Sequence, residues 1–400
     1  MLWLPGVLVL LCGLPAMMAT GQVDPRGWML PALLLAPAAG WLCANRSEGA
    51  ACWAASGAAG SVLCCAFLAT WQVPALEPTS WFLAVVGLAT AAGLVHHALG
   101  TARWLAAAGL LLSAAALWWL AKEPPIQPAG RPSRLAVIAG LPLFWQGSAR
   151  VDAPIIAVLR QRFDVQPVDS PLALEKGNAK SLLLAQPRAF SMDELVALDG
   201  WVRRGGTALV LADPELRWPM DWPLGDRRRP PAVTLLAGII EVWGVKLTRP
   251  HSGELRHFLS DGRMLTVYAA SGFEDAGPNC RIVARGLVAR CAVGKGQAII
   301  VADADLIDDR LWLADPAAAL NPAQWTADTP QFVSQMLGQS LPDGRRWVRT
   351  GAILAGAVRW AVLVGFFWAA LGTLLFGRGK QAPFALRRER LALPKSGKEH

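Results

Sequence analysis

Charge is scarce at the start of this sequence. Residues 1–121 carry only Asp24, Glu48 and Glu77 as acids and Arg26, Arg46 and Arg103 as bases, too few to keep a soluble domain's surface in water. Tyrosine occurs once and histidine five times. Cys12, Cys43, Cys52, Cys64 and Cys65 stand in apolar runs, and no Cys-x-x-Cys or Cys/His metal spacing occurs, so neither a metal nor a cofactor is expected. A phosphate-cradling loop is missing too. Gly294-Lys295-Gly296 lacks both the Ser or Thr after Lys295 and a Gly five residues before Gly294. It reads as a turn between strands, and any ATP hydrolysis belongs to another polypeptide. The formal charge of +9 is not one basic face either: residues 122–351 hold 27 basic and 24 acidic side chains, and the tail 377–400 holds 7 and 2. No nucleic acid is expected as a partner.

What is abundant is apolar. Hydrophobic residues make up 54% of the chain, and its mean hydropathy is +0.36. Crossing a bilayer takes roughly 20 apolar residues, and runs at about 2–20, 28–44, 51–71, 80–98 and 104–121 predict a membrane domain of about five helices over 1–121. A sixth run lies at 352–376. The first run has no Lys or Arg ahead of it and no lipoprotein box before Cys12, so it reads as a retained helix, not a cleaved signal. Trp3, Trp28, Trp71, Trp81, Trp104 and Trp347 fall near the ends of runs, where amphipathic rings favour the bilayer interface. Codon bias alone would also enrich tryptophan. Arg378, Lys380, Arg387, Arg388 and Arg390 behind the last run place the basic tail 377–400 in the cytoplasm and the preceding domain outside it. Arg345, Arg346, Arg349 and Arg359 on the other flank count against that orientation.

A Pro-rich linker over 122–133, with Pro124-Pro125-Ile126-Gln127-Pro128, leads into a globular block at 134–345. There, short β-rich runs at Leu135 to Ala139, Phe163 to Pro167, Ser181 to Ala185, Thr207 to Ala212 and Ala298 to Ala302 alternate with helical stretches near 152–162, 191–204, 232–243 and 329–340. Continuous apolar strands separated by helices indicate an α/β domain with a mostly parallel sheet covered on both faces. The sharpest local signature is Ser191-Met192-Asp193-Glu194, a capping box, followed by the stripe Leu195, Leu198 and Val202 and by Gly205-Gly206 before the next strand. Cys280 and Cys291 are equidistant from Arg285-Gly286. A two-residue hairpin there would oppose them as a hydrogen-bonded pair, within reach of a disulfide; two packed thiols is the alternative. Asp213, Asp303 and Asp305 fall at the carboxyl ends of expected strands, the edge where open α/β sheets bind ligands. With Glu215, Asp308 and Asp309 they suit an acidic crevice for a divalent cation or a cationic ligand, or else serve as loop formers and helix caps. Arg227-Arg228-Arg229 suits an anionic lipid or glycan phosphate, or a solvated loop, and His96-His97 reads as an interface pair and not a haem site.

Leu141-Pro142-Leu143-Phe144-Trp145, the segment 182–218 with Trp201-Val202-Arg203-Arg204-Gly205-Gly206 and Ala212-Asp213-Pro214, and the segment 294–307 resemble the GldG-type "ABC-type uncharacterised transport system" domain over roughly 134–341. The resemblance implies a flavodoxin- or class I glutamine amidotransferase-like fold held by transmembrane helices. It further implies a bacterial inner-membrane location and ABC ATPase and permease subunits as partners. Five preceding spans depart from the single N-terminal anchor typical of that family. An amidotransferase needs a Cys at a strand-to-helix turn with a His nearby. Here the strand from Thr207 runs into Asp213-Pro214-Glu215, while His251 and His257 sit in a polar connection. The expected function is therefore a non-enzymatic accessory of a transport system. An envelope sensor or assembly scaffold is the alternative, and a hydrolase using the acidic strand ends is a third.

Overall fold

Where no water reaches the backbone, amide and carbonyl groups must pair within the segment, and each N-terminal apolar run is a helix in the computed structural model. It describes residues 4–44, 48–98, 103–122, 125–146, 149–220, 222–223, 225–226, 228–341 and 347–376. The tail 377–400, Arg46, Pro124, Arg227, Arg345 and Arg346 lie outside the described residues, as does the side chain of His97. The helices are α1 (Leu4–Thr20), α2 (Met29–Ala44), α3 (Glu48–Thr70), α4 (Leu76–Ala98) and α5 (Arg103–Leu120), joined by a closing helix, Gly351–Phe376, that follows the globular domain. Among the described residues, three segments are long and apolar enough to cross a membrane: Gly49–Thr70, Leu76–His96 and Gly351–Phe376. At 17, 16 and 18 residues, α1, α2 and α5 reach only about 24–27 Å.

The bundle has its own core of Val9, Leu10, Trp28, Val62, Phe82 and Leu354. Trp28, expected at the bilayer interface, is 1% exposed and its indole donates to the Leu10 carbonyl at 3.0 Å. Trp71 and Trp104 are exposed.

The globular domain contains β1 (Ser133–Ala139), α6 (Pro154–Leu159), β2 (Phe163–Pro167), β3 (Ser181–Ala185), α7 (Met192–Arg203), β4 (Thr207–Leu211), α8 (Ala237–Trp243), β5 (Glu254–Phe258), β6 (Met264–Tyr268), β7 (Cys280–Val283), β8 (Val288–Val293), β9 (Gly296–Val301) and α9 (Thr329–Met336). Seven of these strands form one mixed sheet in the order β7-β8-β9-β4-β3-β1-β2. The five strands from β9 to β2 are parallel, and β7 and β8 add antiparallel at one edge. Alternate residues of each strand face opposite sides. Leu135, Val137, Leu183 and Leu209 pack with Ile155 and Ile156 of α6 and Phe332 of α9. Ala136, Ile138, Leu182 and Val210 pack with Leu198 and Trp201 of α7 and Ile240 of α8. Helices thus cover both faces, with an apolar cluster on each side of the sheet.

The capping box holds α7: Glu194 N–H donates to the Ser191 hydroxyl at 3.3 Å, and Ser191 N–H to the Glu194 carboxylate at 2.9 Å. The segment read as a polar connection around His257 is instead a second sheet, the antiparallel hairpin β5–β6, whose Met264, Leu265 and Val267 enter the core. Gly294-Lys295-Gly296 is the β8–β9 turn. It seats against the end of α7, where Lys295 N–H donates to the Arg203 carbonyl at 2.9 Å.

Candidate functional site

The carboxyl ends of β1 and β3 lead directly into Gly140 and Gln186, and those of β4 and β9 reach Asp213 and Asp303 one residue later, at the edge where a ligand of an open α/β sheet would sit. Asp213, Asp303 and Asp305 are brought together there, each at most 2% exposed. Their oxygens are taken by backbone amides. Asp213 accepts from Glu215 N–H at 2.8 Å and Ala304 N–H at 3.0 Å. Asp303 accepts from Leu306 at 2.7 Å and Tyr268 at 2.9 Å, and Asp305 accepts from Arg217 at 2.7 Å. One oxygen of Asp305, Oδ1, is buried without a partner. Asp308 caps the turn at Arg310 and pairs with its guanidinium. Glu215, expected in the crevice, is half-buried and pairs with Arg217. The carboxylates therefore tie the loops 213–217 and 303–308 to the sheet edge. Among the described residues, no group of three or more His, Cys, Asp or Glu side chains is placed to hold a metal ion.

Burial sets the electrostatics of this cluster, because desolvation disfavours the charged form. It raises the Asp213 carboxyl to about 6 and Asp305 to about 7. Asp303 lies well above the usual carboxylate range, through burial first and then the charges of Asp213 and Asp305. Gln186, which the sequence did not single out, closes the same edge. At a positive φ of 43°, it donates to the Asp213 and Pro231 carbonyls at 3.0 and 3.1 Å and accepts from Asp213 N–H at 3.0 Å. Its only sequence signal is a polar residue directly after the apolar run of β3.

The remaining candidates are engaged locally. His257 Nε2 lies 2.5 Å from the Ala284 carbonyl and His251 Nδ1 3.3 Å from that of Ala270, both away from the carboxylates' hydrogen bonds. The Arg228 guanidinium lies over the Trp222 ring and pairs with Asp226. Cys280 and Cys291 are opposed and bonded, with Cα atoms 4.0 Å apart. Their pair is not the hydrogen-bonded type expected from a two-residue turn. The loop runs over 284–287, Ala292 N–H donates to Asn279, and that four-residue loop shifts the bonding phase so that the cysteines occupy the narrower position.

A second constellation joins the domain to the bundle. Gln22 and Val23, after α1, pair antiparallel with Val348 and Trp347, and the Gln22 amide donates to the Pro322 and Trp325 carbonyls at 2.9 and 2.7 Å. Arg349 is 6% exposed. Its guanidinium donates to the carbonyls of Ala69 at 3.1 Å, Gly262 at 2.5 Å and Val348 at 2.7 Å, linking α3, the β5–β6 turn and the approach to the closing helix. Arg349 is thus not the solvated flanking charge that the orientation count took it for. Asp328, another residue sequence reading passed over, accepts from Met264 N–H at 2.7 Å, and burial raises it to about 7.

Residues 133–249 match the family model described as an ABC-type uncharacterized transport system, which supports an accessory role in transport. The match is shorter than the resemblance read over 134–341. No curated protein matches the chain. Among solved structures, it aligns with an exo-β-1,4-mannosidase from Opitutaceae bacterium strain TAV5 at 13% identity and a TM-score of 0.32, over 59% of this chain and 40% of that one. A cold-adapted β-galactosidase from Rahnella sp. R3 aligns at 12% identity and a TM-score of 0.31, over 69% and 45%. The chain thus spans less than half the length of these enzymes, and likeness at such scores carries no argument about fold or activity.

Proposed function

We propose that this chain is a non-enzymatic accessory component of an ABC-type transport system in the bacterial inner membrane, with ATPase and permease subunits as its partners. The observation that carries the reading is the family match at 133–249 in a chain with flanking helices, Gly49–Thr70, Leu76–His96 and Gly351–Phe376, long and apolar enough to cross a membrane. In this reading, residues 1–121 and 352–376 supply six spans, 122–133 is the linker, 134–345 is a periplasmic domain that binds a partner or ligand, and 377–400 is a cytoplasmic tail. The parallel order β2-β1-β3-β4-β9 is that of a doubly wound, flavodoxin-like sheet, which supports the GldG-type, amidotransferase-like assignment. Just past the end of β4 stands Asp213, whose carboxylate is held by two amides. That engagement supports a structural use of this carboxylate over a catalytic one.

The geometry of the helix ends supports the span count. The ends at Gly21, Ala69 and Arg349 meet the domain on one side of the bundle, as six antiparallel spans require. The experiment is photo-cross-linking in cells, with a photoreactive residue at the exposed helix positions Leu112 or Phe367, or at Val196 on the domain. Adducts between a helix position and a permease subunit are expected. Adducts confined to envelope-assembly or regulatory proteins would replace the transport reading with that of a scaffold or sensor.

A further inference from the structure

One edge of the main sheet is β7, which pairs with β8 on one side and, among the described residues, with no strand on the other. The phase of that ladder decides which backbone groups the edge offers. Ala292 N–H donates to the Asn279 carbonyl, so hydrogen-bonded pairs fall at Asn279 and Arg281, and Cys280 and Ile282 turn their amide and carbonyl groups away from β8. The Cys280 N–H is taken by the Gly277 carbonyl at 2.9 Å. The Cys280 carbonyl and both backbone groups of Ile282 have no partner among the described residues. The Cys280–Cys291 bond ties this short strand to β8, so the edge is fixed before anything meets it.

The edge also carries charge of one sign. Arg281 stands directly opposite Arg290, both exposed, and like charges directly opposed across two strands destabilise the pair. Neither guanidinium meets a carboxylate among the described residues: Arg290 donates to the Met336 sulfur at 2.8 Å, and Arg281 makes no side-chain hydrogen bond there. With Asn279, Ala292 and Gln297 they line a hollow of about 470 Å³, open space for an incoming anion. Alternation puts Cys280 and Ile282 on the other face, where they pack against the apolar cluster that holds Ile240 and Trp243.

We infer that β7 is a docking edge for an extended acidic segment of another protein, which adds antiparallel to the seven-stranded sheet. Its residue opposite Arg281 falls at a non-hydrogen-bonded position, where side chains come closest, and a carboxylate there offsets the opposition of Arg281 and Arg290. The residues on either side of it bond to the backbone of Cys280 and Ile282 and turn toward the apolar face. The matching segment therefore alternates apolar and acidic residues. Charge argues against two occupants from this chain. A second copy pairing edge to edge would set arginine beside arginine, and the tail 377–400 holds 7 basic and 2 acidic side chains.

The probe is a short fluorescent peptide of alternating valine and glutamate, titrated by anisotropy into the full-length protein in mild detergent. It is expected to bind about tenfold tighter than its valine–lysine counterpart. A similar margin is expected over the same peptide N-methylated at its valine amides, which keeps the charge and removes the donors that would face Cys280 and Ile282. Arg281→Glu should reverse the preference to the lysine peptide. Its unfolding midpoint should hold or rise, because the opposed arginines become an ion pair with Arg290. Equal binding of the methylated and unmethylated peptides would reduce the site to an anion patch, and an unchanged preference in folded Arg281→Glu would remove Arg281 from it. Either result overturns the docking edge, as does the lack of saturable binding, which would leave Arg281 as a charge that only keeps the edge from pairing. An ATPase and a permease can co-elute with the wild-type chain whatever the peptide does, so this inference and the transport reading fail separately.

Discussion

Trp53 of α3 and Trp368 of the closing helix stack with ring centroids 4.1 Å apart and planes 6° from parallel. Each indole donates to the other residue's carbonyl, at 3.0 and 3.3 Å. The arrangement is reciprocal along the helices as well. A Cβ on Gly372, four residues after Trp368, would overlap the Trp53 indole, and one on Gly57, four residues after Trp53, would stand 2.9 Å from Trp368. Two Trp-x-x-x-Gly segments thus clasp antiparallel and fix the closing helix to the N-terminal bundle.

Gly372→Ala tests the clasp against helix propensity. Alanine favours a helix by about 1 kcal/mol over glycine, yet here the added methyl meets a stacked indole, and overpacking costs about 1–3 kcal/mol. Gly372→Ala is expected to lower the unfolding midpoint of the full-length protein in detergent. Gly356→Ala, where a Cβ meets nothing within 4 Å, should leave it unchanged or raise it. Equal effects of the two changes would remove the clasp from the account.

At the strand ends, Asp213→Ala is expected to cost about 2–4 kcal/mol, because two buried amides lose their acceptor. Glu215→Ala, which removes only a surface ion pair with Arg217, should stay within about 0.5 kcal/mol. Chemical denaturation of the two variants separates a loop tie from a ligand crevice, in which both carboxylates would matter to binding and neither to stability.

Acid titration has a definite sign. Asp213, Asp305 and Asp328 have folded values near 6, 7 and 7 against about 4 unfolded, so between pH 4 and 7 the folded state holds more protons. Stability contributed by these groups is present below about pH 4 and falls as pH rises through 7. A higher unfolding midpoint at pH 5 than at pH 8 is expected, and Asp305→Asn, which keeps an acceptor for Arg217 N–H, should flatten the difference. Glu194 acts in the opposite sense. Arg188 first, then Ser170 and the Ser191 amide, hold it at about 2, so its contribution is lost only as pH falls below about 4. A midpoint that rises from pH 5 to 8 would contradict this assignment.

The Cys280–Cys291 bond closes a loop of 11 residues' separation, which in the chain-entropy description stabilises by about 3 kcal/mol. Non-reducing peptide mapping of protein taken from membranes in an alkylating buffer should recover the two peptides linked. Recovery of both as alkylated thiols would argue for a reducing compartment. A periplasm-active reporter fused after residue 260 is expected to be active, and activity from a cytoplasmic reporter alone would reverse the orientation.

Local rules were legible where they depend on a few neighbouring residues. The Ser191–Glu194 box, the strands at 163–167 and 181–185, and the register opposing Cys280 and Cys291 need only capping, apolar runs and equal spacing. Tertiary partners were not legible. Arg349 reads as a flanking cation because nothing nearby shows that Ala69 and Gly262 supply its acceptors. The carboxylates Asp213, Asp303 and Asp305 were placed at the right edge, but a sequence does not show which amides come to meet them. The hairpin β5–β6 was passed over because Glu254, Arg256 and His257 mask the apolar run Met264-Leu265-Thr266-Val267, although Ser260-Asp261-Gly262 between them is a recognisable turn.

The most direct test of the central claim is affinity purification of the tagged full-length chain from membranes in mild detergent, with mass spectrometry of what co-elutes. An ABC ATPase and a permease recovered with it in fixed ratio is the expected result. Elution alone, or with envelope enzymes and no ATPase, would contradict the accessory role in transport.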